Sequence, residues 1–485
     1  MLSERKRSDM MKRNRAFLII GSFSLGVVLT LLLSLVFKPN PEIKTIVSPS
    51  NYGETSSITQ VYDALKNYHY FYSGDDQALI DGAISGMINA LDDPHSTYFT
   101  MSDYESFVEH LEETYSGIGC EVTNINGYTM IVSPFPNSPA DIAGILANDL
   151  VIEVDGENVV GLGLQEVTNK IKGPVGTTVT IGVQRNDNPE LINIEVTREA
   201  IAQETVKTEV IPVEDGVIGY LQVTTFGENT ANEFKEGIES LEKQGMTALI
   251  VDLRNNSGGY LTSVVEMVDY ILPPDKVITT IENREGKGMQ YTTSMEGKDY
   301  PVVTLINEGS ASASEIFAAA MKEAGGFEVV GKTSYGKGTV QVSLPLDDHS
   351  SLKLTTQVWK TPNGNWINEV GVVPTVEVDA PEFYYYYQVY LTDGKTFEYD
   401  MVDSAIQNAQ NILMTLGYPV DRQDGYYDKS TVSAVEDFQA DQGIPISGVI
   451  DNKTASELTL ALRDKVRDKQ SDTQLERAIE IITEQ

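Results

Sequence analysis

The N-terminal segment of this chain has the length and composition of a membrane-spanning helix. Ala16 to Phe37 is a run of 22 residues without a charged side chain, about the length that crosses the hydrocarbon core of a bilayer. The six basic residues before this run are Arg5, Lys6, Arg7, Lys12, Arg13 and Arg15. By the positive-inside rule, the short N-terminus stays cytoplasmic and everything after Lys38 is exported.

A cleaved signal peptide is the alternative interpretation of this segment. The apolar core of a signal peptide is usually only about 7–15 residues long, and small residues follow it at the cleavage site. Here the run is longer, and Lys-Pro-Asn-Pro follows it at 38–41. We therefore expect an uncleaved single-pass anchor.

The composition excludes several classes of function. The chain has 71 acidic and 35 basic residues and a formal net charge of −36, so it repels nucleic acid. Cys120 is the single cysteine, which excludes an intramolecular disulfide and a cysteine-rich zinc site. The four histidines are scattered along the chain, so we expect no metal and no other cofactor.

The rest of the chain divides into segments with different hydrophobic periodicity. Its 485 residues are enough for roughly two to four domains. The predicted segments are a linker at 38–57, an N-terminal helical region at 58–113, a strand-rich region at 114–200, alternating strands and helices at 201–380, a linker at 381–399, a helical region at 400–465 and a charged tail at 466–485. The alternation at 201–380 is typical of an α/β layer domain.

A serine-rich stretch lies where a predicted strand meets a predicted helix. The strand at 301–306 leads into Asn-Glu-Gly-Ser-Ala-Ser-Ala-Ser-Glu at 307–315, and the helix begins near Ala313. A nucleophile at such a junction is exposed on a sharp turn, and the helix N-terminus can stabilise an oxyanion. The same pattern also fits a helix cap, with Ser312 as the cap and Glu315 completing a capping box.

Lys337 lies between two glycines in a loop after another predicted strand. A lysine acts as a general base only if its pKa falls, and burial lowers that pKa by disfavouring the charged form. Serine–lysine pairs are an established nucleophile–base arrangement. A solvated glycine-rich loop is the alternative, and a phosphate-binding loop does not fit because Gly338 follows the lysine.

A third glycine-rich turn, Asp-Leu-Arg-Asn-Asn-Ser-Gly-Gly at 252–259, separates the apolar strand 248–251 from a predicted helix. Backbone N–H groups in such a turn can form an anion-binding nest. A tight strand-to-helix turn without a ligand is the alternative.

The three motifs, in this order, resemble those of the C-terminal processing (tail-specific) peptidases, a serine peptidase family with a Ser-Lys dyad and a PDZ domain. The resemblance implies that Ser312 is the nucleophile, that Lys337 is the general base and that Gln341 orients this lysine. It also places the oxyanion hole at the backbone N–H groups of Gly258 and Ala313. The similarity runs over roughly residues 58–378.

The strand-rich region at 114–200 resembles the PDZ domain of that family. The resemblance implies that Gly117, Ile118 and Gly119 form the loop that receives a C-terminal carboxylate, while the extended tail adds a strand to the PDZ edge. Asn148 stands where the family usually has glycine, so a left-handed backbone there would fall on asparagine, which tolerates it.

Residues 400–465 resemble a small helical peptidoglycan-binding domain. The matching positions include Ala409, Gln410, Thr431, Phe438 and Gln439. A helical domain without a ligand is the alternative.

The resemblance as a whole predicts a multidomain α+β protein of the bacterial cell membrane. Its parts are a transmembrane helix, a helical segment, a PDZ domain of β-sandwich type with helices, an α/β peptidase core and a small C-terminal helical domain. It implies an extracytoplasmic serine endopeptidase without a cofactor that binds C-terminal tails of exported proteins. The implied partners are these proteins, the membrane, peptidoglycan and a second copy of the chain.

Two other functions remain open at this point. In the first, the peptidase fold is inactive and the chain is a scaffold that recruits partners through its PDZ and wall-binding domains. In the second, the chain is a Ser-His-Asp hydrolase, which would need His349 beside Ser312. Occupancy of the PDZ domain as a gate to the active site is a further hypothesis.

Overall fold

The computed structural model describes residues 56–101, 103–104, 114–125, 127–185, 190–202, 204–214, 216–347, 350–387, 389, 391 and 395–484. The predicted membrane anchor at 16–37 lies outside these residues. No helix within the described ranges is long and apolar enough to span a bilayer. The chain divides into two compact units, Met1–Ala83 and Ile84–Gln485.

The described part of the first unit is helical, as the periodicity of this stretch predicts. Helix α1 spans Ser56–Tyr68, and helix α2, Asp76–Asn89, runs across the boundary between the units. Lys66 forms an exposed ion pair with Asp76 at the start of α2, with an N–O distance of 2.6 Å. Downstream of α2, the region predicted to be helical also contributes a strand, β1 (Thr97–Phe99), to the second unit.

The strand-rich region forms the expected PDZ-like module. Its elements are β2 (Thr114–Gly117), β3 (Cys120–Ile125), β4 (Tyr128–Pro134), α3 (Pro139–Ala143), β5 (Leu150–Val154), β6 (Glu157–Asn158), α4 (Leu164–Ile171), β7 (Thr178–Gln184), β8 (Leu191–Thr197) and β9 (Glu199–Ala202). One sheet has the order β3-β4-β5-β7-β8 with β6 beside β5, and β2 pairs with β9. The left-handed backbone expected at Asn148 is confirmed, with φ of 68°.

The peptidase region is built on a six-stranded sheet of order β10-β11-β12-β15-β16-β19. Only β10 runs antiparallel in this sheet. The strands β12 and β15 are buried along their whole length, as expected of parallel strands covered on both faces. The elements of this sheet and its helices are β10 (Val206–Val213), β11 (Gly216–Val223), α5 (Thr230–Lys243), β12 (Ala248–Asp252), α6 (Leu261–Ile271), β15 (Val302–Ile306), α7 (Ala313–Ala320), β16 (Glu328–Gly331) and β19 (Val376–Glu377).

A second, antiparallel sheet stands beside the first and completes the peptidase. Its order is β1-β18-β13-β14, and β17 also pairs with β18. The remaining strands are β13 (Val277–Asn283), β14 (Gly288–Thr292), β17 (Thr339–Pro345) and β18 (Ser351–Lys360). The helix predicted to begin near Ala313 ends at Ala320, where a π-helical turn at Met321–Gly325 follows it.

Three helices with a common apolar core form the region that resembles a peptidoglycan-binding domain: α8 (Ser404–Thr415), α9 (Lys429–Asp441) and α10 (Asn452–Arg467). A short internal repeat is visible in the polar core of this domain. Gln410 donates to Thr431 Oγ1, and Gln439 donates to Thr454 Oγ1, each at 2.9 Å. Asp428 and Asp451 cap α9 and α10 in the same way.

The charged tail at 466–485 is an integral part of the peptidase. Helix α11 (Thr473–Thr483) packs Leu475, Ala478, Ile481 and Ile482 against one face of the six-stranded sheet. The helices α5, α6 and α7 share the core on the other face. The chain therefore leaves the peptidase, forms the three-helix domain and returns to cover the sheet.

Candidate active site

Ser312 lies at the turn between β15 and α7, in a conformation that is unusual for serine. Its φ is +55°, in the sparsely populated region that non-glycine residues adopt only when the surrounding structure enforces it. As the residue before the first turn of α7, it presents its side chain beside the unpaired N–H groups of a helix N-terminus. This is the geometry expected of a nucleophile at a strand-to-helix junction.

The three serines of the motif have different structural roles. Ser310 is buried and donates to the Leu253 carbonyl oxygen at 2.8 Å, and Ser314 is buried and donates to the Asn256 carbonyl oxygen at 2.8 Å. Ser312 is partly exposed and lines a cavity of about 1110 Å³. Ser310 and Ser314 thus join the serine-rich turn to the glycine-rich turn at 252–259. Ser312 is the serine that a substrate can reach.

The capping box expected of Ser312 and Glu315 is confirmed. Glu315 Oε2 accepts the Ser312 backbone N–H at 2.7 Å, as in other capping boxes. The same carboxylate also accepts Ser334 Oγ and the Gly336 N–H at 2.6 Å, and the Lys337 N–H at 2.8 Å. The fully buried Glu315 therefore connects the serine turn to the lysine loop.

Lys337 lies on a packed loop, so the alternative of a solvated loop is wrong. Its N–H is held by Glu315, and its carbonyl oxygen accepts Trp359 Nε1 at 2.7 Å. A Cβ atom at Gly336 would lie 2.9 Å from the Val370 nitrogen, and one at Gly338 would lie 2.7 Å from Trp366 Nε1. The two glycines thus let the loop pack closely on both sides of the lysine.

The environment of Lys337 favours its neutral form. Burial lowers the pKa of the Lys337 amine, and the positive charge of Lys353 lowers it further, whereas Glu315 and Asp93 act in the opposite direction. Lys337 and Ser312 line the same cavity. Among the hydrogen bonds of the described residues, none joins Lys337 Nζ to Ser312 Oγ, so proton transfer needs a rotation of the flexible lysine side chain or a bridging water.

The predicted oxyanion donors are placed together at the serine turn. Ala313 is the first residue of α7, where an N–H has no partner within the helix. Gly258, with φ of +105°, approaches so closely that a Cβ atom there would lie 2.9 Å from Ser312 Cβ and 3.0 Å from the Ala313 nitrogen. In this structure the Gly258 N–H donates to Asn256 Oδ1 at 2.9 Å.

Gln341 lies in the same cavity as Lys337, but its amide group has other partners. Its Nε2 donates to Thr339 Oγ1 at 2.9 Å and to Thr355 Oγ1 at 3.1 Å. Its proposed role in orienting the lysine stays a prediction.

The loop at 117–119 packs closely against the start of helix α3. The carbonyl oxygen of Ile118 accepts the Ala140 N–H at 2.8 Å, and that of Gly119 accepts Ser138 Oγ at 2.8 Å. A Cβ atom at Gly119 would lie 2.5 Å from Ser138 Cβ. Gly117 pairs with Glu199 in the strand pair β2–β9. Carboxylate binding by this loop stays a prediction.

Three residues that the sequence did not assign also line the active-site cavity. Lys172 follows helix α4 of the PDZ module, His95 precedes β1, and Lys353 lies on β18. These residues are far from Ser312 in sequence, and only the fold brings them to it. His349, which a Ser-His-Asp hydrolase was expected to use, lies outside the described residues.

Comparisons with known proteins agree with the expected family. Family models match for peptidase family S41 at residues 217–378, a PDZ domain at 130–185, a peptidoglycan binding domain at 402–458 and the N-terminal domain of the activating protease CtpB at 39–103. The carboxy-terminal processing protease CtpB of Bacillus subtilis (strain 168) is 37% identical over 87% of this chain and 88% of its own length.

A second relative is the carboxy-terminal processing protease CtpA of the same organism, which is 37% identical over 88% of this chain and 89% of its own length. Among solved structures, the photosystem II D1 C-terminal processing protease is 26% identical, with 68% of this chain and 94% of that chain covered and a TM-score of 0.42.

Proposed function

This chain belongs to peptidase family S41 and is a serine peptidase, and we propose that it captures C-terminal tails of exported proteins and cleaves them with Ser312 and Lys337. The observation that carries the proposal is the pairing, in one cavity, of a serine on a strained turn with a half-buried lysine whose pKa is lowered. The Glu315 carboxylate fixes the backbone of both residues.

The reaction follows from the chemistry of these groups. Ser312 Oγ attacks the scissile carbonyl carbon while the neutral Lys337 amine takes the hydroxyl proton, and the same ammonium then gives a proton to the leaving amine. A water molecule, activated by Lys337, hydrolyses the acyl-enzyme. The dyad itself requires no metal.

The oxyanion hole would use Ala313 and Gly258 in different ways. The Ala313 N–H, at the positive end of the helix α7 dipole, is ready to stabilise the developing charge. The Gly258 N–H donates to Asn256 Oδ1 in this structure, so it joins the hole when the arriving oxyanion replaces that acceptor.

Tail capture would occur at the open edge of the PDZ sheet. Strand β3 is at the edge of its described sheet and follows the loop 117–119, so an extended tail can pair with β3 and place its carboxylate at the loop. Lys172, directly after α4, lines the active-site cavity. A tail seated against α4 can therefore act on the cavity through Lys172, which supports PDZ gating.

The remaining parts of the proposal concern location and partners. The segment 16–37 would anchor the chain in the bacterial cell membrane with its catalytic part outside. Protease accessibility of the C-terminal domains on intact cells tests this location. Binding to purified peptidoglycan sacculi tests the three-helix domain, and analytical ultracentrifugation tests the homodimer.

The central experiment is cleavage of an unstructured protein with an apolar C-terminus by the full chain in detergent. Ser312→Ala and Lys337→Ala should each abolish cleavage, because the nucleophile or its base is lost. Lys332→Ala is the matched control, because Lys332 lies in the same loop but pairs with Glu377 and Asp379 at the surface. It should cleave like the parent.

Two outcomes would contradict the proposal. If Lys337→Ala cleaves normally while His95→Gln does not, the base is the histidine that lines the cavity. If the parent binds the tail but does not cleave it under any condition, the chain acts as a scaffold.

A further inference from the structure

A second lysine lines the cavity that holds Ser312 and Lys337. Lys353 lies on β18, where it is paired with Ser343 of β17 on one side and with Thr97 of β1 on the other. The cavity lining also includes Gln341 and Ser343, which lie on the same face of β17. Lys353 is thus held on a central strand beside the cavity that also holds Lys337. The side chain of Lys353 is partly buried.

Charged groups reach Lys337 from three directions. Lys353 acts from β18, Glu315 from α7, and Asp93 from the segment before β1. His95, next to Asp93, experiences the charges of both lysines, and Lys172 lines the cavity from the PDZ side. The base therefore sits between two carboxylates and a second cation.

The two carboxylates are committed to other hydrogen bonds. Glu315 accepts four donors. Asp93 accepts the His95 N–H at 3.0 Å and Ser96 Oγ at 2.5 Å. Both carboxylates favour the ammonium form of Lys337, which cannot act as a base. A nearby cation is needed to oppose them.

We propose that Lys353 is this cation and that it acts on the peptidase reaction through Lys337, by favouring the neutral amine of the base. The proposal rests on the proposed function, in which Lys337 takes the proton of Ser312. In this role Lys353 acts through its charge on Lys337 and need not touch the substrate. It is therefore a positioning residue and not a catalytic one.

The coupling of the two amines supports this assignment. Burial lowers the pKa of both lysines, and the positive charge of Lys353 lowers the pKa of Lys337 further. Two like charges that line one cavity lose their protons in two coupled steps. Catalysis requires the state between these steps in which Lys353 is charged and Lys337 is neutral.

The test compares the pH dependence of kcat/KM for the full chain and three variants. Lys353→Met removes the charge and keeps the length of the side chain, so the rising limb should move to higher pH and kcat/KM at pH 7 should fall about three- to tenfold. Lys353→Arg keeps the charge and should retain the parent profile. Lys360→Met, on the same strand but paired with Glu282 at 2.8 Å, is the matched control and should also retain it.

A direct titration separates this inference from the proposed function. In the Ser312→Ala chain with ¹³C-labelled lysine, the Lys337 signal, identified by its loss in Lys337→Arg, should titrate at higher pH when Lys353→Met is added. An unchanged Lys337 titration would overturn the inference even if Lys337 is the base. An unchanged titration with a raised KM for acidic tails would instead make Lys353 a substrate-binding residue. Retained cleavage in Lys337→Ala would refute the proposed base, independently of the titration.

Discussion

The backbone N–H groups of Ser312 and Lys337 donate to the same atom, Oε2 of Glu315, at 2.7 and 2.8 Å. The other oxygen of this carboxylate accepts Ser334 Oγ and the Gly336 N–H. One buried side chain thus fixes the backbone of the proposed nucleophile relative to that of its proposed base, although 25 residues separate them in sequence.

Glu315→Gln should reduce kcat strongly and change KM little. The amide has one acceptor oxygen for four donors, and its NH₂ group would face the N–H groups of Ser312 and Lys337. A misplacement of about 1 Å can lower a rate about 100-fold, and we expect a loss of this size in steady-state kinetics. Glu323→Gln, on the same helical segment but bonded to the Asn363 N–H, is the control. Equal losses in both variants would contradict a specific role for Glu315.

Gly258→Ala should abolish cleavage because its Cβ would lie 2.8 Å from the Ala311 carbonyl oxygen and 2.9 Å from Ser312 Cβ. Gly245→Ala is the control. Gly245 also has a positive φ, of +87°, but no atom within 4 Å of the added Cβ, so it carries only the left-handed strain of about 1–2 kcal/mol. Normal cleavage by Gly258→Ala would show that the glycine-rich turn at 252–259 and the serine-rich turn can move apart without loss of function.

Lys337→Met should make the folded chain more stable at pH 7 while it abolishes activity. Burial lowers the pKa of Lys337 below the unfolded value of 10.5, so the charged amine is a destabilising group in the folded state. Between the folded and unfolded pKa values the unfolded chain binds more protons, and stability rises with pH. The gain from Lys337→Met, measured as a higher Tm, should therefore shrink as the pH approaches 10.5.

Lys332→Met is the matched control for this measurement. Lys332 is partly exposed, and hydrogen bonds to Asp379 and Glu377 raise its pKa. Its removal should give no gain in Tm at pH 7. A lower Tm in Lys337→Met would contradict the assignment of Lys337 as a strained, functional lysine.

Asp472→Ala should destabilise the peptidase core. Asp472 binds Arg254 through two contacts, of 2.7 and 2.9 Å, and also caps α11 through the Leu475 N–H at 3.0 Å. Loss of the cap and of a buried ionic contact should lower the free energy of unfolding by about 3 kcal/mol, measurable by urea denaturation. Asp451→Ala removes a comparable cap on α10 without the ion pair. Equal losses would mean that the Arg254 contact contributes nothing.

The sequence located the regular elements well where their periodicity was strong. The strands predicted at 248–251 and 301–306 lie at 248–252 and 302–306. The sequence placed them within one residue because fully buried parallel strands form continuous apolar runs. Strands β3 and β13 were not predicted, since their polar and β-branched residues follow no clear alternation. The charged sequence of α11 obscured an apolar stripe that packs on the sheet.

The sequence by itself predicted the chemical identity of the dyad, because Ser312 and Lys337 stand in motifs whose turns require their neighbouring small residues. It could not assign Glu315, Lys353 or His95 to the reaction, since each takes its role from groups remote in sequence. Tertiary structure alone decided how much of Lys337 is buried, which charges reach it and which oxygen the Gly258 N–H binds. These properties depend on distance and desolvation, and both arise only when β18, α7 and the turn after β12 are packed around one cavity.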